Sequence, residues 1–99
     1  MSTKYTVAVV QAAPVLFDLA KTLEKTADLV SKAATKGAKL ILFPEAFISA
    51  YPRGLSFGTV VGSRQPEGRQ LWQRYWESSI TEGDNACQQL GEMAKAANA

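Results

Sequence analysis

Glu45 is the residue of this chain whose type and position best suit chemistry. It follows an apolar run, residues 39–43, in which four of the five residues are Leu, Ile or Phe, a pattern typical of a short buried strand. Pro44 cannot donate to a sheet, so strand pairing should weaken there. We therefore expect Glu45 at the carboxyl end of a strand, between Phe43 and Phe47, where catalytic groups of α/β proteins gather. A carboxylate between two rings would be poorly solvated, which suits a general base. The residues alone leave open a second interpretation, a solvated carboxylate that merely follows a strand.

The composition excludes several kinds of chemistry. The chain has 99 residues and no histidine, which removes the commonest general base, the commonest zinc ligand and any Ser–His or Cys–His pair. A net charge of +2 is too small to favour nucleic acid or an anionic membrane as a partner. No apolar segment is long enough to span a bilayer, and the N-terminus lacks the apolar core of a signal peptide. A single cysteine fits a reducing compartment, so we expect a cytoplasmic protein.

Residues 37–52, G-A-K-L-I-L-F-P-E-A-F-I-S-A-Y-P, resemble the signature around the first catalytic residue of the nitrilase family, the nitrile-hydrolysing branch of the carbon–nitrogen hydrolases. The matching positions are Gly37, Leu40, Ile41, Phe43, Glu45, Ile48, Tyr51 and Pro52. Ala50 departs from the pattern, because the family usually has Gly there. If the backbone has a positive φ at that position, Ala is strained by about 1 kcal/mol or more. The resemblance covers most of the chain and weakens after Ile80.

The resemblance implies a Glu–Lys–Cys triad that hydrolyses a small-molecule nitrile to a carboxylic acid and ammonia. The Cys thiolate attacks the nitrile carbon to form a thioimidate, the Glu acts as general base, and the Lys stabilises charge on the substrate nitrogen. Only the Glu maps onto this chain, as Glu45. No metal or other cofactor is implied.

Two residues that follow Glu45 are candidates for substrate binding. The resemblance places their loop beside the substrate pocket, so Tyr51 could line the pocket or pack as a loop anchor. Arg53 could pair with a carboxylate near the site or stabilise the loop.

Cys87 is not expected to be the nucleophile. It lies in A-C-Q-Q-L within a predicted amphipathic helix, with no adjacent cation or base to activate the thiol. The nucleophile of the family follows a strand and precedes Trp and Glu, a motif that this sequence lacks. We expect Cys87 to be a packing residue.

The order of predicted elements indicates an α/β fold. Residues 5–11 and 39–43 read as strands joined by a helix over residues 19–36, which Asp18 caps and Gly37 ends. This βαβ unit predicts two parallel strands. A long loop over residues 44–65, with a short strand or helix near residues 57–61, precedes helices over residues 68–79 and 85–97, the last capped by Asp84. The expected buried stripe of the first helix is Leu19, Leu23, Ala27, Val30 and Ala34.

The predicted fold is the N-terminal part of the four-layer α-β-β-α sandwich that the resemblance implies. Two strands and three helices leave sheet edges unpaired, so we interpret residues 1–99 as an incomplete carbon–nitrogen hydrolase domain whose C-terminal part, with the catalytic Lys and Cys, is missing. The full-length form is expected to be a homo-oligomer. An aromatic patch of Trp72, Tyr75 and Trp76 is a candidate for its subunit contacts.

Two other functions fit the same residues. An amidase of the same superfamily would share the Phe-Pro-Glu element and the triad, although the Tyr-Pro-Arg-Gly continuation favours the nitrile branch. A non-catalytic truncated subunit or pseudoenzyme would instead use the aromatic helix and the unfinished sheet to dock on a full-length partner. By itself, the fragment is expected to be inactive.

Overall fold

The computed structural model describes residues 3–51, 59–60, 63–64 and 66–99, with 59–60 and 63–64 described by their backbone alone. The elements in chain order are β1 (Val7–Val9), α1 (Leu19–Thr35), β2 (Leu40–Leu42), β3 (Thr59–Val60), β4 (Ser63–Arg64), α2 (Glu67–Glu77) and α3 (Asn85–Ala97). Strands β1 and β2 are parallel, and α1 connects them. The predicted α/β class and the parallel βαβ unit are confirmed.

Helix α1 begins and ends where its capping residues predict. The Oδ1 atom of Asp18 accepts a hydrogen bond from the Lys21 N–H, which satisfies one of the free donors of the first turn. At the other end Gly37 has a φ of +83°, and the N–H groups of Gly37 and Ala38 donate to the carbonyls of Ala34 and Ala33. This pair of bonds is the Schellman motif, which needs a left-handed residue where Gly37 stands.

The buried stripe of α1 differs from the predicted stripe. Leu23 and Val30 are buried as expected, but Leu19, Ala27 and Ala34 are only half-buried. The other buried positions of the helix are Thr22, Thr26 and Ala33. The prediction passed over the two threonines because they are polar, yet their hydroxyls bond to backbone atoms, which removes the penalty of burying them.

The small sheet has one covered face and one open face. Both strands are shorter than predicted, with Val7, Ala8 and Val9 opposite Leu40, Ile41 and Leu42. Ala8 and Ile41 are half-buried. The alternate residues are exposed: Val7 by 52%, Val9 by 68%, Leu40 by 61% and Leu42 by 58%. The prediction that residues 39–43 form a buried strand is therefore wrong for this face, because nothing in the described part of the chain packs against it.

Helices α1 and α3 lie on the side of β2 that carries Ile41. Helices α1 and α3 contact each other. Between them and β2 lies a cavity of about 320 Å³, to which Val30, Ile41, Leu90 and Met93 contribute. The Cα radius of gyration is 16.7 Å, against about 13 Å for a compact domain of 100 residues. This chain is therefore less compact than a typical domain of its length.

The C-terminal half contains the two further predicted helices and a short strand pair. Helix α3 has the predicted bounds and the predicted cap at Asp84, and α2 begins one residue earlier and ends two residues earlier than predicted. Strands β3 and β4 pair antiparallel inside the predicted long loop. On α2, Trp72 is 52% and Trp76 69% exposed, whereas Tyr75 is half-buried. The ring centroids of Trp72 and Trp76 are 6.4 Å apart.

No helix within the described ranges is both long and apolar enough to cross a membrane.

Candidate active site

The candidate site lies where both parallel strands end. The N–H of Val10 donates to the Leu42 carbonyl at 2.8 Å, just beyond the paired residues, so the chain leaves β1 and β2 at the same edge of the sheet. Two loops begin there, the 10–18 loop after β1 and the 43–51 loop after β2. The carboxyl edge of a parallel sheet is where α/β proteins place functional side chains.

The 10–18 loop is fastened to α1 by side chains of the helix. The Thr22 hydroxyl donates to the Val15 carbonyl at 3.0 Å and accepts from the Val15 N–H at 3.1 Å. The Lys25 ammonium donates to the Ala13 carbonyl at 2.6 Å. Further along the loop, the Arg74 guanidinium of α2 lies 4.8 Å from the centre of the Phe17 ring, a cation–π contact. The loop is thus attached to two helices.

The 43–51 loop is held by apolar burial and by its own backbone. Phe47 is 4% exposed, and its ring centroid lies 5.2 Å from that of Phe43. The Phe47 N–H donates to the Pro44 carbonyl at 3.2 Å, and the Ala50 N–H donates to the Phe47 carbonyl at 3.2 Å. These bonds close two successive tight turns between the end of β2 and Ala50.

Glu45 lies at the second position of the first of these turns and is exposed. The expectation of a carboxylate shielded by two aromatic rings is not met in this chain. The reason is that Phe43 and Phe47 contact each other, whereas Glu45 is exposed at the corner of the turn. Within residues 3–51 and 66–99, no cation forms an ion pair with it.

The other predicted site residues are only partly described. Tyr51 is 70% exposed, so its ring is not packed as a loop anchor in this chain. Arg53 lies outside the described residues. The structure therefore brings Glu45 and Tyr51 into one loop and leaves Arg53 unplaced.

Cys87 lies in the first turn of α3 and is half-buried. Its N–H donates to the Asp84 Oδ1 atom at 2.7 Å as part of the helix cap. The position matches the expected packing residue on a helix. The described residues contain no group of three or more carboxylates or cysteines that could hold a metal ion.

One feature of the site was missed by sequence reasoning. Ala46, directly after Glu45, has a φ of +56°. Alanine carries no sequence signal for this conformation, which Gly and Asn adopt more readily. At Ala50, in contrast, the departure from the family pattern gave such a signal, and the φ of +62° confirms it.

Comparison with known proteins supports the resemblance of this sequence to the nitrilase family. A family model described as carbon–nitrogen hydrolase matches residues 6–99. The chain is 46% identical over 92 residues to an aliphatic nitrilase of Sinorhizobium fredii, a match that covers 93% of this chain and 30% of that protein. It is 51% identical over 76 residues to a nitrilase of Bradyrhizobium diazoefficiens, covering 77% of this chain and 24% of the relative. It is 43% identical over 93 residues to nitrilase 3 of Arabidopsis thaliana, covering 94% and 27% respectively. The chain thus spans less than a third of the length of these relatives.

Proposed function

Because this chain belongs to the carbon–nitrogen hydrolase family, we propose that it forms the N-terminal part of a nitrilase in which Glu45 is the general base. The observation that carries the proposal is the position of Glu45. It follows β2 at the carboxyl edge of the sheet, within the segment that resembles the nitrilase signature, and its carboxylate is open to a reacting group. The nitrilase names of the relatives support the choice of nitrile over amide as substrate.

The proposed reaction needs three groups, of which this chain supplies one. A cysteine thiolate attacks the nitrile carbon and forms a thioimidate, while the nitrile nitrogen takes up a proton. Glu45 accepts the thiol proton and later the proton of an attacking water. A lysine stabilises negative charge that develops on the nitrogen. Two waters are consumed overall, and ammonia and a carboxylic acid leave. The lysine and the cysteine are proposed to come from a part of the protein outside these 99 residues.

The missing part is also proposed to cover the open face of the sheet. The exposed residues of this face, Val7, Val9, Leu40 and Leu42, are all aliphatic, as expected of a face that packs against a second sheet. In the proposed whole protein, β1 and β2 belong to one sheet of a four-layer α-β-β-α sandwich. Such packing would also reduce the exposure of the adjoining 43–51 loop.

The whole protein is further proposed to be a cytoplasmic homo-oligomer that needs no cofactor. Trp72 and Trp76 support an oligomer, because large exposed aromatic side chains are enriched at protein–protein contacts.

A chimera tests the proposed function. In it, this chain replaces the matching 92-residue segment of the Sinorhizobium fredii nitrilase. The chimera is expected to release ammonia and carboxylic acid from nitriles, and to turn over the corresponding amides more slowly. The 99-residue chain alone should release no ammonia above the blank. Faster turnover of amides than of nitriles would instead identify an amidase segment, and a folded chimera without any turnover would contradict the proposal.

A non-catalytic docking subunit is a second candidate, favoured by the open aliphatic face and the exposed tryptophans. If this function is correct, the 99-residue chain should co-elute with the intact Sinorhizobium fredii nitrilase in size-exclusion chromatography. Separate elution of the two proteins would exclude docking on this relative.

A further inference from the structure

The turn that carries Glu45 has an uncommon backbone. The hydrogen bond from the Phe47 N–H to the Pro44 carbonyl defines a four-residue β-turn over residues 44–47. Its second residue is Glu45 and its third is Ala46. The φ angle is positive at Ala46 and not at Glu45. A positive φ at the third position alone is the signature of a type II turn, in which Gly or Asn usually occupies that position.

The conformation of Ala46 separates an exposed side chain from a buried one. Glu45, just before it, is exposed at the corner of the turn, whereas Phe47, just after it, is 4% exposed and contacts Phe43. With an ordinary negative φ at Ala46 the chain would leave the turn in another direction. Phe47 could then reach the core only if Glu45 were aimed elsewhere.

The strained conformation is held by the residues around it. An L-residue other than Gly is rare in the left-handed region, and such outliers persist where the surrounding structure forces them. Here the buried ring of Phe47 lies on one side and the paired strand β2 on the other. The Ser49 hydroxyl, 3.4 Å from the Ala46 carbonyl, adds only a long hydrogen bond.

We propose that Ala46 is a positioning residue whose left-handed backbone aims the Glu45 carboxylate away from the Phe43–Phe47 pair and toward the reacting groups. This inference rests on the proposed function of Glu45 as general base. It adds that the direction of the Glu45 carboxylate depends on the φ angle of Ala46, a residue whose own side chain is only a methyl group.

The test compares substitutions that differ in their preference for the left-handed region. In the chimera, A46N should keep kcat close to that of the parent chimera, because Asn adopts a positive φ more readily than other residues. A46V should lower kcat by about 100-fold with little change in KM, because a β-branched residue resists this conformation and a misplacement of about 1 Å has effects of that size. A purely structural role for Ala46 would change the melting temperature and leave kcat per folded molecule unchanged.

Two further variants keep the test decisive. A34V adds the same methyl groups at a half-buried alanine of α1 and should leave kcat unchanged. If A46V does not fold, A46L takes its place, since Leu matches Asn in shape without sharing its preference for a positive φ. Equal kcat values for A46N and for A46V or A46L, whether both high or both low, would overturn the inference.

Glu45→Gln in the same chimera separates this inference from the proposed function. If E45Q keeps its activity, Glu45 is not the general base. If E45Q is inactive while the Ala46 variants do not follow the expected order, the general base stands and only the positioning role of Ala46 fails.

Discussion

The 10–18 loop and the 43–51 loop leave the same edge of the sheet, but different forces hold them. Polar side chains of α1 fasten the first loop, through the Thr22 hydroxyl and the Lys25 ammonium. The second loop receives no side-chain hydrogen bond from α1 among the described residues; its fixed points are the buried Phe47 and Ala50. Left-handed residues occur in both loops, at Phe17 in the first and at Ala46 and Ala50 in the second. Only the second loop carries a candidate base. The difference indicates that apolar burial supports the loop of the candidate base, whereas polar side chains of α1 support the other loop.

Removal of the Phe47 ring, the apolar support of the 43–51 loop, should change the free energy of unfolding more than removal of any other support of the two loops. F47A deletes a ring that is 4% exposed and should lower the free energy of unfolding by about 3–5 kcal/mol. F47L refills most of the volume and should cost about 1.5 kcal/mol or less. Urea unfolding of both variants measures the difference. If F47A loses no more stability than F47L, the Phe47 ring does not support the 43–51 loop.

The polar fastening of the 10–18 loop should have the next largest effect. T22V removes the hydroxyl that serves both the N–H and the carbonyl of Val15, and should lower the free energy of unfolding by about 2–3 kcal/mol. T35V is the matched control, because the Thr35 hydroxyl bonds to the Ser31 carbonyl at an exposed site, and its change should stay within about 0.5 kcal/mol. Equal losses in the two variants would contradict a special role of Thr22.

Relief of strain in the 43–51 loop should have a smaller effect of opposite sign. Ala50 has a φ of +62°, so A50G should raise the free energy of unfolding by up to about 1 kcal/mol. A33G makes the same change at a buried alanine inside α1 and should lower it by about 1 kcal/mol. Thermal unfolding measures both variants, and a loss of stability in A50G as large as that in A33G would show that the left-handed angle at Ala50 is not strained.

The cap of α3 at Asp84 should contribute a stability that depends on pH, unlike the supports of the two loops. Hydrogen bonds from the N–H groups of Cys87 and Thr81 hold the pKa of the Asp84 carboxyl below its ordinary value of 3.8. The carboxylate therefore contributes stability that is fully present above pH 3.8 and is lost as the pH falls through the lowered pKa.

Asp84→Asn should consequently be less stable than the parent near neutral pH, with a difference that shrinks below pH 3.8. Urea midpoints of both proteins, measured from neutral pH into the acid range, give this difference directly. A gap that stays constant with pH would rule out the charge of Asp84 as the source of the effect.

The sequence predicted the helices better than the strands, for a physical reason. Helix ends depend on local residues, so Asp18, Gly37 and Asp84 fix the bounds of α1 and α3. The length and burial of a strand depend on what packs beside it. Strand β2 is accordingly shorter and more exposed than its apolar sequence predicts.

The candidate site was predictable in its position but not in its environment. The Phe-Pro-Glu spacing placed Glu45 after a strand, and the structure confirms that placement. The solvation of Glu45 was not predictable, because it depends on the contact between Phe43 and Phe47 and on whatever covers the open face of the sheet. Nothing in the sequence marks Ala46, whose conformation is imposed by its neighbours.

The most direct test of the general base is the turnover of E45Q in the nitrilase chimera. Gln keeps the size of the side chain but cannot accept a proton as a carboxylate does. We expect E45Q to lower kcat/KM by about 100- to 10,000-fold with an unchanged melting temperature, while E24Q, a matched change at an exposed position of α1, keeps full activity. If E45Q hydrolyses nitriles as fast as E24Q, the carboxylate at the corner of this turn is not the base.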